Sequence, residues 1–320
     1  MSNQPFMDQA EAESPFPPLP EVPASQRAHA QSPLRYEDVS QDGRVMLLSL
    51  PHAMGLAVWQ KLMVDSPVPR AAQHQGLVPL LTRLVIEGHG GPVSVRRPFE
   101  IDGGYVLGHT VDAGGEPNRI LLATFAEVRA PRARTHGPPP EGAGTLDLVG
   151  KIYGEHVFTR PFGPPEARKV RRLELDGVPA VPPLRLPWMK HDDVLTPPAS
   201  ATGLTELDSA VKDDEVPVLF GLMHSDSNQH VNSLAYPRIF EEAALRRLAQ
   251  HGRGTRLIAR YAEITYRKPC FAGERVRLLL RAWAGPRGAW VCGAFVAPEA
   301  GSGPESLARA NACVRMLLTE

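Results

Sequence analysis

His224-Ser225-Asp226-Ser227-Asn228-Gln229-His230-Val231-Asn232-Ser233-Leu234-Ala235-Tyr236 is the stretch on which the reading of this chain turns. It sets an acid, amides and an imidazole close together just ahead of a segment, Leu234–Gln250, whose apolar residues Leu234, Ile239, Phe240, Ala243, Ala244 and Leu248 recur at helical spacing with charges between them. A helix N-terminus offers free backbone N–H groups and a positive dipole end. Such groups can hold the oxygen of a polarised carbonyl. A neighbouring carboxylate can attack that carbonyl or activate a water, and an imidazole four residues on can orient the reacting groups. The same letters also have a plain structural reading, because Asp and Asn cap helices and Asn232 or Ser233 would serve as the N-cap. The residue types alone leave both readings open.

Outward from this stretch, Val216–Met223 reads as a short strand. Further strands are predicted at Leu257–Arg267, Arg275–Trp283, Ala289–Ala297 and Leu307–Leu318, separated by Gly/Pro turns. One long helix followed by antiparallel strands is α+β, with the helix buried against the sheet. The N-terminal block repeats that order: a strand at Arg44–Leu50, a helix at Ala53–Val64, then strands at Val78–Ile86, Val93–Arg97, Tyr105–Thr110 and Ile120–Arg129. A local echo, Val93-Ser94-Val95-Arg96-Arg97-Pro98-Phe99 against Ile264-Thr265-Tyr266-Arg267-Lys268-Pro269-Cys270, adds to the expectation that one α+β unit is duplicated.

Proline punctuates the chain. The 33 prolines cluster in 1–35, in 131–144 and in 176–215. The expected organisation is a disordered Pro-rich tail over 1–35, an N-terminal unit over 36–175, a Pro-rich linker over 176–215 and a C-terminal unit over 216–320 that carries the Asp226 stretch. Lys+Arg and Asp+Glu are both 35, so no basic excess points to nucleic acid. No apolar run approaches the roughly 20 residues of a membrane span. The N-terminus lacks the pattern of a signal peptide, and three cysteines without a CxxC pair argue against a disulfide framework or a zinc site. The expectation is a cytoplasmic protein that needs no metal or cofactor.

The stretch Asp226-Ser227-Asn228-Gln229-His230-Val231-Asn232-Ser233-Leu234-Ala235-Tyr236 resembles the signature of hot-dog-fold thioesterases, and most closely its acyl-carrier-protein thioesterase variant, D-x-N-x-H-V-N-N. The resemblance covers roughly 216–318. It implies a double hot dog, each unit a long central helix wrapped by an antiparallel sheet, and hydrolysis of an acyl thioester carried by coenzyme A or by an acyl carrier protein. Asp226 would be nucleophile or general base, Asn228 and His230 would orient it and the water, and the backbone N–H groups of Asn232 and Ser233 would polarise the carbonyl. Tyr236 matches a structural position. Ser233 replaces the second Asn, and Pro269-Cys270 stands where the plant-type enzymes have Glu-Cys, so a Glu with a catalytic part in that family is missing. The N-terminal unit shows no counterpart of the signature around Ser49–Gly55. The alternatives are a non-catalytic acyl-binding or assembly protein of the same fold, and an acyl-thioester hydratase or dehydratase. Two units in one chain can imitate the usual dimer, and a homo-oligomer stays open.

Other residues carry weaker signals. Cys270 could pair with His230 as a nucleophile, or be a small core residue. His52, at the matching loop of the first unit, is expected as a helix-end residue, with a catalytic part as the alternative. Glu241 and Glu242 are surface acids or an alternative base. The run Arg168-Lys169-Val170-Arg171-Arg172 is a solvated face, or meets the phosphates of coenzyme A or an acidic carrier protein.

Overall fold

The computed structural model describes residues 15–66, 68–254, 256–286 and 288–320. The major strands are β1 Arg27–Ser32, β2 Val78–Gly88, β3 Phe99–Val111, β4 Pro117–Pro131 and β5 Leu146–Thr159. Four two-residue strands follow: β6 Leu184–Arg185, β7 Thr205–Glu206, β8 Lys212–Asp213 and β9 Val218–Leu219. The last group is β10 Ile258–Tyr266, β11 Arg275–Gly285, β12 Gly288–Val296 and β13 Ala312–Thr319. They join one sheet in the order β1-β3-β4-β5-β2-β10-β13-β12-β11-β7, with β6 beside β3 and β8 and β9 beside β11. All pairings are antiparallel except β3 with β6.

The order reads the same in both directions from the β2–β10 pair. There Arg83 lies opposite Thr265 and Glu87 opposite Tyr261, so the Val85–Glu263 pair is the midpoint. Each strand has a register shift against its outer neighbour at the same distance from that midpoint, between Leu81 and Arg83 on one side and between Ala259 and Tyr261 on the other. The sheet therefore runs unbroken from one half of the chain into the other.

Two helical segments fill its inner face. In the first half His52–Met54 (α1), a π-wound Gly55–Trp59 and Gln60–Asp65 (α2) follow one another without a break, and Val68–His74 (α3) succeeds them. In the second half Ala235–Gln250 (α4) buries Phe240, Ala243, Ala244 and Leu248 completely. Full burial of a side chain such as Phe or Leu is worth roughly 1.5–3 kcal/mol, and it is the predicted apolar stripe that supplies it. Pro304–Ala308 (α5) is a short surface turn before β13.

The outer face is covered too, and this explains why β12 is buried along nearly its whole length instead of alternating. Val291 and Phe295 join the helix-facing core, whereas Trp290 and Cys292 pack outward with Trp283, Tyr261 and Val85. That outer layer is closed by Leu184, Leu186, Ala201 and Leu204. The stretch 176–215 is thus not a free linker but a strap. Its extended Pro-rich backbone lays isolated apolar residues on the sheet and bonds to its strands, as in Leu186 N–H to His109 O and Thr265 Oγ1 to His191 O.

Six more expectations are corrected. Of the expected tail over 1–35, residues 1–14 lie outside the described residues, but Arg27–Ser32 pairs with β3 and buries Ala28 and Ser32, and Val22 is buried as well. Edge pairing uses backbone groups and needs few aliphatics, so composition hid it. Arg44–Leu50 is a bridge at Val45 and a 3₁₀ turn at Leu47–Ser49, not a strand, and Val93–Arg97 is loop and turn. The strand placed at Val216–Met223 shrinks to β9, and the one at Leu307–Leu318 starts at Ala312. The seven-residue echo is not structural: Ile264 lies inside β10 and Val93 lies beyond the end of β2.

Candidate active site

The segment before α4 is a small hairpin. Ser225 bridges Val231, Asp226 N–H donates to His230 O (3.1 Å), Gln229 N–H to Asp226 O (3.0 Å) and Asn232 N–H to His224 O (2.7 Å). Its tight turn forces Gln229 to φ 65°, the single positive φ of a non-glycine among the described residues; this conformation costs an L-residue roughly 1–2 kcal/mol. The hairpin is pinned to the sheet end by Val231 N–H donating to Cys270 O at 2.8 Å.

This fold of the loop presents the Asp226 carboxylate half-buried. Oδ1 accepts the Asn228 backbone N–H at 2.8 Å and Oδ2 accepts Asn232 Nδ2 at 3.3 Å. An ionised carboxylate has about four acceptor sites, so each oxygen keeps one for a water or a substrate. Asn232 is held in turn, its Oδ1 accepting Leu234 N–H at 2.8 Å. The N-cap of α4 is Leu234, without a side-chain cap, so neither Asn232 nor Ser233 holds the position that the capping reading gave it.

Behind the loop stands an aromatic wall. Tyr236 packs with Phe220, Tyr266 and Phe295 at centroid distances of 5.2–5.8 Å. Tyr266 Oη donates to Ser233 O (2.8 Å), and Tyr236 Oη accepts Cys270 N–H (3.1 Å). Burial pushes the hydroxyls of both tyrosines well above their ordinary range, so they act as neutral struts. Burial also pushes up the Cys270 thiol. A fully buried, protonated thiol is a poor nucleophile, which favours the core reading of Cys270.

The structure brings Asp226, Asn228 and Asn232 together, but not in the expected roles. Among the described residues neither the Asn228 side-chain amide nor the His230 ring has a hydrogen-bond partner; Asn228 touches the carboxylate through its backbone only. Asn232, expected to offer its N–H to a carbonyl, spends that group on His224 O and orients Asp226 with its side chain instead. Burial raises the Glu241 carboxyl, but this residue lies within α4. Beside the loop, the 216–225 segment and the first turns of α4 line an open cavity of about 520 Å³ that includes Val218, Ser225, Asn232 and Ile239 together with the charged Arg238, Glu242 and Arg246. Met223, which lines the cavity, is 95% exposed, and its neighbour Leu222 is 82% exposed.

The sequence reading missed a second copy of this hairpin. Val39 bridges Val45, Ser40 N–H donates to Arg44 O (2.8 Å), Gly43 N–H to Ser40 O (2.9 Å) and Met46 N–H to Asp38 O (2.7 Å), and Gly43 takes the positive φ. Ser40, Asp42, Arg44 and Met46 thus occupy the places of Asp226, Asn228, His230 and Asn232. The shared letters are Val45, Leu48 and Pro51 against Val231, Leu234 and Pro237. Here the acid is shifted by two positions and neutralised. Burial works against ionisation of Asp42, yet the Ser40 hydroxyl, the Arg44 N–H and the Arg260 and Arg44 charges hold its carboxyl below the usual range. Arg260 reaches it from β10, in the other half of the chain.

A large antiparallel sheet packed on a few helices, with a polar hairpin leading into α4, fits a fold of the hot-dog type. Three solved structures share it over nearly their whole length. The 12:0-ACP thioesterase from Umbellularia californica matches with a TM-score of 0.54 and 12% identity over 91% of this chain and 93% of its own. A Lactobacillus plantarum protein assigned as an oleoyl thioesterase matches at 0.56 and 14% over 92% and 97%. An acyl-ACP thioesterase from Bacteroides thetaiotaomicron matches at 0.52 and 12% over 91% and 97%. At such identities the likeness is one of fold. No family model matches the chain, and no curated protein matches it in sequence.

Proposed function

We propose that the chain is a double hot-dog acyl-thioester hydrolase with one active site, at the hairpin before α4. The observation that carries this reading is the Asp226 carboxylate, held by the Asn228 N–H and Asn232 Nδ2 with lone pairs to spare, on a fold shared with acyl-ACP thioesterases. Asp226 either attacks the thioester carbonyl or takes a proton from the attacking water. Asn232 fixes the rotamer of Asp226. His230, half-buried with a free ring, is available to the water or to the leaving thiol. The Ser233 N–H, which has no partner among the described residues, is the amide left to polarise the carbonyl. Val218, Met223, Leu234 and Ile239 supply the apolar part of the adjoining cavity, against which an acyl group would lie.

The mirrored strand order and the two hairpins support duplication. The first unit keeps the loop but not its acid, so its part is to complete the sheet and the acyl pocket. The substrate is a thioester of coenzyme A or of a carrier protein, and the site of action is the cytoplasm. Among the described residues no helix is long and apolar enough to cross a membrane. A thiol-release assay over a panel of acyl-CoA, acyl-carrier and acyl-pantetheine substrates tests the reading: turnover of at least one acyl class supports it, and release no faster than the uncatalysed rate across the panel favours an acyl-binding protein.

A further inference from the structure

A cavity of about 430 Å³ lies on the other side of the sheet, where the strap residues Trp188–His191 cross the ends of β2, β4, β5 and β10. Arg119, Lys190 and Arg267 line it. Its one lining carboxylate, Glu155, is already spent on Arg83 at 3.0 Å. Arg119 sits over the Trp188 ring at 5.1 Å, and Trp188 as a residue is 42% exposed. Lys169, from the basic run noted in the sequence, is brought alongside by its bridge to Thr159, another lining residue. Among the described residues Arg119, Lys169, Lys190 and Arg267 form no ion pair with a carboxylate, whereas Arg246, Arg247, Arg277 and Arg281 each hold one. Burial lowers the basicity of Arg119, and burial together with the Arg171 and Arg119 charges lowers that of Lys169. Asp112 opposes this at Lys169 without forming an ion pair with it, so the cations stand near one another with no paired carboxylate among the described residues.

We propose that this cavity binds the phosphorylated nucleotide of a coenzyme A thioester, its phosphates among Arg119, Lys169 and Lys190 and its base against Trp188. Guanidinium and ammonium groups bind phosphate through charge-assisted hydrogen bonds, and an exposed indole stacks a base. A carrier protein carries phosphate on its pantetheine arm but no base, and would need a flat acidic-complementary face, not a concave pocket with an aromatic ring. The cavity also includes Tyr266, the residue whose hydroxyl supports Ser233 in the candidate active site, so the two sites adjoin through β10. The inference rests on the acyl-thioester reading and names the carrier.

The test is calorimetric titration of the full chain with coenzyme A, 3′,5′-ADP and 4′-phosphopantetheine, with indole fluorescence followed in parallel. Coenzyme A and 3′,5′-ADP are expected to bind and to change the fluorescence, phosphopantetheine to bind more weakly, and affinity to fall as salt rises. Arg119→Gln with Lys190→Gln is expected to weaken coenzyme A tenfold or more at an unchanged melting temperature. Should that pair not fold, Lys190→Gln alone, on an exposed side chain, is expected to weaken it several-fold. Equal affinity in the variants, or binding of an acyl carrier protein without binding of 3′,5′-ADP, overturns the proposal. Coenzyme A is product, so binding is read without turnover. Retained binding with no hydrolysis counts against the hydrolase reading alone, and hydrolysis of acyl-pantetheine without any coenzyme A binding counts against the cavity alone.

Discussion

Arg83 of β2 and Glu263 of β10 meet at 2.7 Å across the seam where the two halves of the sheet join, and both are buried. Arg83 also holds Glu155 of β5 at 3.0 Å, while Glu263 accepts the Tyr261 hydroxyl at 2.8 Å and Arg315 Nε of β13 at 2.8 Å. Two cations face two anions, so the cluster is balanced. Burial nevertheless pushes the Glu155 carboxyl up against the pull of Arg83. Removing one member of such a cluster strands its partner. Arg83→Met is expected to cost about 3–5 kcal/mol in denaturant unfolding, and adding Glu155→Gln is expected to restore part of it. A loss below about 1 kcal/mol would show that the seam is held by backbone pairing alone.

The approach of α4 to the sheet depends on Gly293. A Cβ there would lie 2.1 Å from Leu279 O, 2.9 Å from Leu280 Cδ2 and 3.0 Å from Phe240 Cε2. Gly293→Ala must therefore displace a strand or the helix and is expected to cost about 1–3 kcal/mol or more, the range of overpacking. Gly55 is the control: it is helical at φ −62°, with nothing within 4 Å of an added Cβ. Gly55→Ala is expected to stabilise by about 0.5–1 kcal/mol through helix propensity and reduced unfolded-state freedom. Thermal melts of both variants decide.

His156 carries a pH dependence. It packs edge-on against Trp59 at 5.0 Å and is bonded by its Nδ1 to Leu122 O at 3.3 Å. Burial pushes its pKa down to about 4. The folded state thus binds this proton later than the unfolded state, whose His titrates near 6.5. Above that pH both are neutral and the group contributes nothing. As pH falls from about 6.5 to about 4 the unfolded state is favoured, by on the order of 3 kcal/mol in all at 1.36 kcal/mol per pKa unit. His156→Gln is expected to flatten the stability profile in that window relative to the parent. Parallel profiles for the two proteins would contradict the assignment.

The parts of the fold with a period were legible in the sequence. Phe240, Ala243, Ala244 and Leu248 announce α4, and the long strands β10, β11 and β12 were placed within a few residues. The strap was not legible, because Leu186, Val194 and Leu204 are single apolar residues in extended backbone and share no repeat. The seam cluster was hidden for a different reason: Arg83, Glu155, Glu263 and Arg315 look like solvent-facing strand residues, and only the strap shows that their face is covered. In the candidate site, Asp226 is singled out by its neighbours in the letters. The first hairpin was not legible at Ser49–Gly55 because it lies upstream, at Val39–Val45, with Ser40 in the place of Asp226 and the acid two positions on at Asp42; the Val45, Leu48 and Pro51 spacing carries the signal instead. The role of Asn232 depends on a side-chain rotamer, which no spacing reveals.

The central claim is that the Asp226 carboxylate does the chemistry. Asp226→Asn keeps the shape and can still accept the Asn228 N–H. Its new amide group would face Asn232 Nδ2, whose own oxygen is committed to Leu234 N–H, so a stability cost of about 1 kcal/mol is expected. The charge that attacks or deprotonates is gone. The direct measurement is the single-turnover rate of acyl-thioester hydrolysis by the parent and by Asp226→Asn, each shown folded by thermal melt. A fall of about 100-fold or more, the range of general-base loss, is the predicted result; hydrolysis at the parent rate would contradict the account and leave Asp226 as the residue that merely shapes the hairpin.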